Sequence, residues 1–312
     1  MELSKAYEGF EICKTGNRVG DLSPATLKVY RSCINHLVEY LGDPCIGSIT
    51  LPQLEAFMRY LEVDYKKQDG SNLSTYAQDN HWKAIRSIWK WSVSELRIKP
   101  VHEGLAQPVV VTEPVAPYTR EDLTRILSAL DTVTRTCRKT RGKYKQSRST
   151  VLRDKAIIHL LLDTGMRIGE LCRLKTEDLF MDYSQIKVKP YRSGKKSRPR
   201  DLPFGRNTKR WLWQYLTHTE RLPKQSLFGI TVSGLNNFFA RVEVRSGVAS
   251  VHAHRFRHTF AIEFLRNGGD VYSLQTILGH SDLTMCLRYL DIAKSDVVNA
   301  HRRASPVDNW EI

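Results

Sequence analysis

The amino-acid sequence predicts a mainly α-helical protein, in which an N-terminal all-α helical bundle precedes an α-rich mixed α/β domain with a small antiparallel sheet. Apolar residues recur every three or four positions through most of the 312 residues, which is typical of amphipathic helices. Prolines cluster between residues 100 and 117 and interrupt this pattern, and two short segments near residues 187 and 201 have strand character. A chain of this length can bury two separate cores.

The N-terminal bundle is predicted over residues 1–112. Ser23 can cap a first helix, and Pro24 suits its first turn. Further helices are predicted near Pro52 and from about Ser74, and about twenty residues precede the first clear helix. The apolar positions of the three helices are Leu27, Tyr30, Ile34, Leu37 and Leu41, then Leu54, Phe57, Met58 and Leu61, then Trp82, Ile85, Ile88, Trp89 and Leu96.

The second domain is predicted over residues 113–312. Thr119 with Asp122 is typical of a helix start, and a strand pair is expected at residues 186–188 and 200–202 with its turn at Ser193-Gly194. Residues 132–153 hold eight basic side chains and no acidic one, so we expect either a solvated loop or a loop that contacts phosphate. Other helices are expected over residues 151–163, 207–217, 232–244, 254–266 and 271–278.

The charge of the chain is concentrated in this second domain. Residues 1–112 hold 13 basic and 13 acidic side chains, so the net charge of +15 falls entirely within residues 113–312. Such an asymmetry favours a polyanionic partner, most often nucleic acid. The sequence shows neither a signal peptide nor a membrane span, and its six cysteines form no C-x-x-C pair. We therefore expect a cytoplasmic protein.

Four segments of the second domain carry candidate chemistry. They are T-G-M-R-I-G-E-L from Thr164, the hairpin that contains Gly194-Lys195, H-R-F-R-H-T-F from His254, and L-G-H-S-D-L-T-M-C-L-R-Y, which ends at Tyr289. Each segment alone is weak evidence of function. Arg167 alone would be interpreted as a surface residue, the histidines as capping or core residues, and Tyr289 as a buried aromatic.

Taken in order, these segments resemble the tyrosine recombinase family, which includes phage integrases and recombinases that resolve chromosome dimers. The resemblance covers residues 119–289, and the N-terminal bundle is similar to the family's core-binding domain by length and position. It implies a site-specific DNA recombinase that cuts and rejoins strands through a 3′-phosphotyrosyl intermediate. The implied catalytic residues are Tyr289, Arg167, Lys195, His254, Arg257 and His280.

Phosphoryl transfer explains why these residue types suit the implied roles. Two arginine forks, Arg167 and Arg257, match the charge that develops on the non-bridging oxygens. A phenol is a poor nucleophile at neutral pH, so it benefits from cations and from a histidine, for which His254 is the candidate. Lys195 would protonate the leaving 5′ oxygen as a general acid. Because the phosphotyrosine conserves the bond energy, neither a cofactor nor a metal is expected.

Several alternatives stay open at this point. Lys196 follows Lys195 where the family often has glycine, so Lys196, or more remotely Lys189, is an alternative acid. A type IB topoisomerase would share the chemistry, but Met285-Cys286-Leu287-Arg288 differs from its Ser-Lys-x-x-Tyr signature. A catalytically idle DNA-binding relative is the third possibility. A zinc site at His252, His254 and His258 is the weakest interpretation, because no thiolate lies near in sequence.

The resemblance also implies partners. We expect double-stranded DNA with short inverted recognition sites, and a homotetramer on two duplexes. The tail from Asp291 to Ile312 carries Val297, Val298 and Ala300, and we expect it to dock on a neighbouring protomer. With so few residues before the first clear helix, we expect no separate arm-binding domain. The sequence does not distinguish integration, excision or transposition by a mobile element from dimer resolution.

Overall fold

In a computed structural model the chain forms two compact units, residues 1–113 and residues 114–312. The structure describes residues 1–16, 20–110, 116–136, 143–147, 150–189, 199–279 and 283–293, together with the single residues 301, 305, 307 and 310. For residues 132–136, 143–147, 284–285 and 291–293 it describes the backbone alone.

The first unit is helical, as the sequence predicts. Its helices are α1 (Leu3–Lys14), α2 (Pro24–Leu41), α3 (Leu51–Val63) and α4 (Thr75–Leu96), with 3-10 turns at Ile46–Ser48 and Val101–Glu103. The predicted Ser23 cap is present, because its hydroxyl accepts a hydrogen bond from Thr26 N. Helix α4 begins where it was predicted, and the Ser74 hydroxyl caps it by accepting a hydrogen bond from Ala77 N. Trp89, Phe10 and Phe57 are fully buried at the centre of this unit.

Helix α1 corrects the prediction that about twenty residues precede the first helix. Leu3, Ala6, Tyr7 and Phe10 have helical spacing and are buried in the core of the first unit. The helix begins after Glu2 without a side-chain cap, so the usual start signal is missing from the sequence. Its stability comes from packing against α2 and α4, which a local pattern does not reveal.

The second unit combines helices with two small antiparallel sheets. Its helices are α5 (Arg120–Asp131), α6 (Val151–Thr164), α7 (Ile168–Arg173), α8 (Arg206–Thr217), α9 (Val232–Ser246), α10 (Ala253–Arg266), α11 (Val271–Leu278) and α12 (Thr284–Ala293). The predicted Thr119–Asp122 capping pair begins α5. The helices α7 and α12 were not predicted, and they carry Glu170 and Tyr289. Helix α10 packs against α6, α11 and α12, which brings the candidate segments together.

The predicted strand pair is confirmed and belongs to a three-stranded sheet. Strands β3 (Leu179–Phe180), β4 (Gln185–Val188) and β5 (Arg200–Pro203) are ordered β3-β4-β5 and antiparallel. Ile186 pairs with Leu202 and both are fully buried, so this register places the apolar face of the sheet in the core. The predicted turn at Ser193-Gly194 lies outside the described residues.

The basic segment after α5 contains a β-hairpin where the sequence predicted a loop. Strands β1 (Thr132–Thr136) and β2 (Lys143–Ser147) pair antiparallel, with Thr134 opposite Lys145. The threonines, Val133 and Tyr144 favour strands, but the many cations obscured this preference. The expectation of an irregular loop was therefore wrong for these ten residues, and the contact with phosphate stays a prediction.

None of the helices in the described ranges combines the length and the apolar character that a bilayer-spanning segment needs.

Candidate active site

Arg167 and Glu170 form the first part of the site at the start of α7. The Glu170 carboxylate accepts a 2.9 Å hydrogen bond from the backbone N–H of Arg167, which begins the helix as in a capping box. The same carboxylate lies 3.4 Å from the Arg167 guanidinium. Glu170 is buried, whereas the Arg167 side chain is partly exposed and can meet a ligand.

Arg200 is the second cation bound to Glu170. Its two terminal nitrogens donate hydrogen bonds of 3.0 and 2.9 Å to the two carboxylate oxygens, and its Nε donates to the Ile277 carbonyl at 2.6 Å. Both side chains are buried, and the bidentate geometry is the strongest that arginine forms with a carboxylate. Arg200 therefore links β5 to the start of α7 and to the end of α11.

Arg257 is a buried guanidinium held by backbone carbonyls. It lies on α10, is 3% exposed, and donates to the Gly165 carbonyl at 2.7 Å and to the Leu278 carbonyl at 2.9 Å. Burial, followed by the charge of Arg167, lowers the pKa of Arg257 to about 10. The group therefore stays cationic at neutral pH.

Two helix C-termini supply these carbonyls. Gly165 ends α6 at φ 58° and Gly279 ends α11 at φ 63°, left-handed conformations that glycine adopts without strain. The carbonyls at a helix end are unpaired within the helix and carry the negative end of its dipole, so cations are favoured there. The Leu278 carbonyl also lies 3.4 Å from a terminal nitrogen of Arg167, so the end of α11 holds both predicted phosphate-binding arginines.

Tyr289 is buried on α12, with 2% of its surface exposed. Burial raises the pKa of Tyr289 above its usual value, and the nearby charges of Arg257 and Arg167 offset only part of this rise. The phenol is thus protonated at neutral pH and must lose its proton during the reaction.

The imidazole that contacts Tyr289 is that of His258. Its ring meets the Tyr289 ring edge to face at 5.1 Å between centroids, and it meets the His254 ring at 4.4 Å. His254 is exposed on the outer side of α10, and desolvation by its neighbours, followed by the charge of Arg257, lowers its pKa. The structure thus brings Arg167, Arg257 and Tyr289 together and places His254 one ring further out.

Sequence reasoning missed the parts that His258 and Arg200 have in this site. His258 lies four residues after His254, a spacing that places both on one face of α10, and this signal was available. Arg200 was noted only as one of several cations around the hairpin. No local pattern indicates that it reaches the end of α11, because that contact joins residues 77 positions apart.

Three candidate residues of the sequence analysis, Lys195, Lys196 and His280, lie outside the described residues. Lys189, the most remote alternative acid, is described and pairs with Asp178 at 2.5 Å. The hydrogen bond and charge of Asp178 raise the pKa of Lys189. A higher pKa makes the ammonium a weaker proton donor, which counts against Lys189 as the acid.

The described part of the chain contains no group of three or more histidine, cysteine or acidic side chains that could hold a metal ion. His252 has a different role from that of a metal ligand beside His254 and His258. Its ring caps α10 by accepting a 3.2 Å hydrogen bond from Arg255 N. Arg257 lies between these histidines in sequence, and a cation disfavours a second positive charge nearby. The zinc interpretation therefore has no support in this geometry.

Comparison with known proteins gives the decisive observation. The model of the phage integrase family matches residues 119–296, more than half of the chain, and the model of the phage integrase SAM-like domain matches residues 11–102. This chain belongs to the phage integrase family, the tyrosine recombinases. It is accordingly a tyrosine-type DNA recombinase, a DNA strand transferase, and Arg167, Arg257 and Tyr289 all fall within the matched region.

Relatives and solved structures of the family match more than nine tenths of the chain. The tyrosine recombinase XerC of Staphylococcus aureus is 27% identical over 92% of this chain and 98% of its own length. The XerC protein of Corynebacterium efficiens is also 27% identical, over 91% of this chain and 86% of its own.

The fold is shared with two integrases solved on DNA. The Tn1549 transposon integrase, in complex with transposon right end DNA, has a TM-score of 0.71 at 19% identity and covers 97% of this chain and 100% of its own. A lambda integrase tetramer bound to a Holliday junction has a TM-score of 0.65 at 17% identity and covers 91% of this chain and 79% of its own.

Proposed function

We propose that this tyrosine recombinase cuts and rejoins DNA at specific sites through a covalent bond between Tyr289 and a 3′ phosphate. The observation that carries the proposal is the common position of three groups. The buried phenol of Tyr289 lies close enough to Arg257 and Arg167 for their charges to act on it, and both guanidinium groups are held at the end of α11. A nucleophile beside two fixed guanidinium groups is what phosphodiester transfer requires.

The reaction balances within the chain and its DNA. The Tyr289 oxygen attacks phosphorus, the bond to the 5′ oxygen breaks, and the phenol proton passes to a base. Arg167 and Arg257 bind the non-bridging oxygens, where negative charge increases in the transition state. Lys195 gives a proton to the leaving 5′ oxygen. His254 and His280 are the remaining catalytic residues of the proposed active site. Rejoining is the reverse attack by a 5′ hydroxyl, so no external energy source is consumed.

The two units have separate roles in this proposal. The first unit, which matches the SAM-like domain, binds the core site, and the second unit binds the site and performs the chemistry. The surplus of basic side chains in residues 113–312 supports a DNA surface there. We also propose that the protein acts in the cytoplasm, where its DNA substrate would be found.

Assembly follows from the number of strands. Exchange between two duplexes needs four strand cuts, and each protomer supplies one tyrosine, so we propose a homotetramer on short inverted sites. The tetrameric lambda integrase on a Holliday junction supports this assembly by its fold. The tail from Asp291 docks on a neighbouring protomer, and a chain truncated after Lys294 should bind a half-site but form no higher complexes in a native gel. Undiminished tetramers would contradict the docking.

The biological role of the exchange is either that of a mobile-element recombinase or that of a dimer-resolving enzyme. The likeness in fold to a transposon integrase favours the first, and the identity to XerC favours the second. Sequencing the DNA that flanks the gene separates them, because a mobile element is bordered by inverted repeats that contain the cleavage site.

The covalent intermediate can be tested without knowing the site. Protein is incubated with a randomised library of nicked duplexes, covalent complexes are recovered under denaturing conditions, and the attached DNA is sequenced after proteolysis. The parent chain should recover one enriched inverted motif, and Tyr289→Phe should recover none while still shifting that motif in a native gel. Tyr215→Phe is a matched control, since Tyr215 is a buried tyrosine on α8 of the same unit whose hydroxyl donates to the Leu227 carbonyl. Equal covalent yields from the parent and Tyr289→Phe would reject Tyr289 as the nucleophile.

A further inference from the structure

His258 is a partly buried histidine that the reaction described above does not use. It lies between His254 and Tyr289, and its Nδ1 atom is buried without a hydrogen-bond partner among the described residues. Buried polar atoms are almost always paired, so an unpaired one beside a nucleophile needs an explanation. The packing of α10 against α12 fixes this position, because His258 and Tyr289 each project from one of these helices.

The protonation state of His258 makes its nitrogen available. Burial, followed by the charges of His254 and Arg257, lowers the pKa of His258 to about 4. The imidazole is therefore neutral at pH 7 and carries one N–H and one lone pair. Among the described residues, the charged and titratable groups that act on it are His252, His254 and Arg257 on or before α10, and its ring contacts Tyr289 on α12.

The phenol of Tyr289 needs an acceptor for its own proton. Arg257 and Arg167 act on the phenol through their charges, but a guanidinium only donates hydrogen bonds and cannot accept one from the hydroxyl. Tyr289 is 2% exposed, and a buried hydroxyl without a partner is costly. The imidazole of His258, whose ring contacts the Tyr289 ring, carries a lone pair that can accept this hydrogen bond.

We propose that His258 positions Tyr289 for attack, because its Nδ1 accepts a hydrogen bond from the phenol O–H. This inference rests on the proposed function of Tyr289. It assigns to His258, and not to His254, the direct contact with the nucleophile. His254 is then left to the phosphate side of the site, where its ring is exposed.

Two substitutions distinguish the role of the His258 Nδ1 atom from that of its aromatic ring. His258→Phe keeps an aromatic ring against Tyr289 but removes both nitrogens, whereas His258→Asn places a polar atom near the position of Nδ1. Single-turnover cleavage of a nicked site is measured at saturating DNA, alongside the Kd for the same DNA and the thermal unfolding midpoint. We expect His258→Phe to bind normally but to cleave roughly ten- to a hundred-fold more slowly, the scale of a misplaced nucleophile. His258→Asn should recover most of that rate.

A matched control is available in the same unit. His159 is a half-buried histidine on α6 whose ring contacts Trp211 at 5.6 Å, outside the site, so His159→Phe should leave the cleavage rate unchanged. A His258→Phe chain that cleaves at the parental rate would overturn the inference, and so would equal losses in the Phe and Asn variants, which would show that only packing matters. If the parent itself forms no covalent complex, the proposed function fails instead, so the two failures are distinguishable.

Discussion

The Nη2 atom of Arg257 donates a 2.9 Å hydrogen bond to the backbone carbonyl of Leu278, the last residue of α11. This contact joins the arginine of one candidate segment to the glycine turn of another, 21 residues later. Because a peptide carbonyl is neutral, it fixes the guanidinium without cancelling its charge. The backbone of α11 therefore helps to fix the position of Arg257, one of the two arginines proposed to bind phosphate.

Arg257→Lys should retain the positive charge but lose the paired hydrogen bonds to Gly165 and Leu278. A lysine has no planar fork, so it cannot bind both carbonyls and a phosphate in fixed geometry. We expect the cleavage rate at saturating DNA to fall by roughly a hundred- to a thousand-fold, the usual cost of losing a fixed donor in the transition state. Single-turnover kinetics measures this, and a loss under three-fold would refute the role of the fork.

Glu170→Gln should destabilise the second unit, because it leaves the buried Arg200 without its carboxylate. Breaking one partner of a buried ion pair costs about 3–5 kcal/mol of unfolding free energy. The control is Glu263→Gln, which breaks the exposed pair with Arg266 and should cost no more than about 1 kcal/mol. Urea unfolding of both variants gives the comparison, and similar losses in the two would mean that the Glu170 network contributes little.

Gly279→Ala should impair cleavage more than stability. An alanine Cβ would lie 3.0 Å from a terminal nitrogen of Arg200 and would occupy a backbone at φ 63°, which costs about 1–2 kcal/mol for an L residue. Gly247→Ala is the matched control, since Gly247 ends α9 at φ 65° with no atom within 4 Å. Both variants should lose similar stability in thermal unfolding, but only Gly279→Ala should lose cleavage. Equal cleavage in the two would show that the end of α11 tolerates displacement.

The pKa of His258 predicts acid destabilisation. Its folded value of about 4 lies below the ordinary 6.5, so the neutral form is favoured by folding and its contribution to stability is complete above pH 6.5. This contribution is lost as the pH falls from 6.5 towards 4, with about 2 kcal/mol gone at pH 5. His258→Phe should therefore show a flatter dependence of unfolding free energy on pH than the parent. Parallel curves would indicate that other groups control acid unfolding.

Lys195→Ala tests the general acid through the leaving group. On ordinary DNA this variant should cleave roughly a hundred-fold or more slowly than the parent, the scale of general acid catalysis. A bridging 5′ sulfur leaves readily as a thiolate and needs no acid, so it should restore the rate. Rescue of Lys196→Ala alone would identify Lys196 as the acid. If sulfur rescues neither variant while both bind DNA, these lysines contact phosphate and another group supplies the proton.

The helices with a cap and a clear apolar repeat were predictable, whereas contacts between distant segments were not. Ser23, Ser74 and Thr119 begin helices where the sequence places them, because capping is a local interaction. Helix α1 escaped prediction because its stability depends on neighbours in the bundle. The β1–β2 hairpin escaped because its charges concealed its strand preference.

In the candidate site, too, local motifs were predictable and contacts between distant segments were not. Arg167, Arg257 and Tyr289 were identified from ordered motifs, and the structure brings all three together. The sequence could not show that Arg200 shares Glu170 with Arg167, or that His258 rather than His254 meets the phenol. Both depend on packing between α10, α11, α12 and β5, which brings side chains together across more than twenty residues of chain.

The backbone carbonyls that hold the guanidinium groups are neutral, so they do not reduce the net positive charge of the site. Within its described part, three guanidinium groups stand against the single carboxylate of Glu170, which leaves a formal surplus of two positive charges. A phosphodiester at rest carries one negative charge, and the five-coordinate species formed after the phenol has lost its proton carries two. In the proposed reaction the positive charge of the site therefore exceeds that needed by the resting substrate and matches that of the transient species, so its electrostatic attraction would be greatest while the strand is being exchanged.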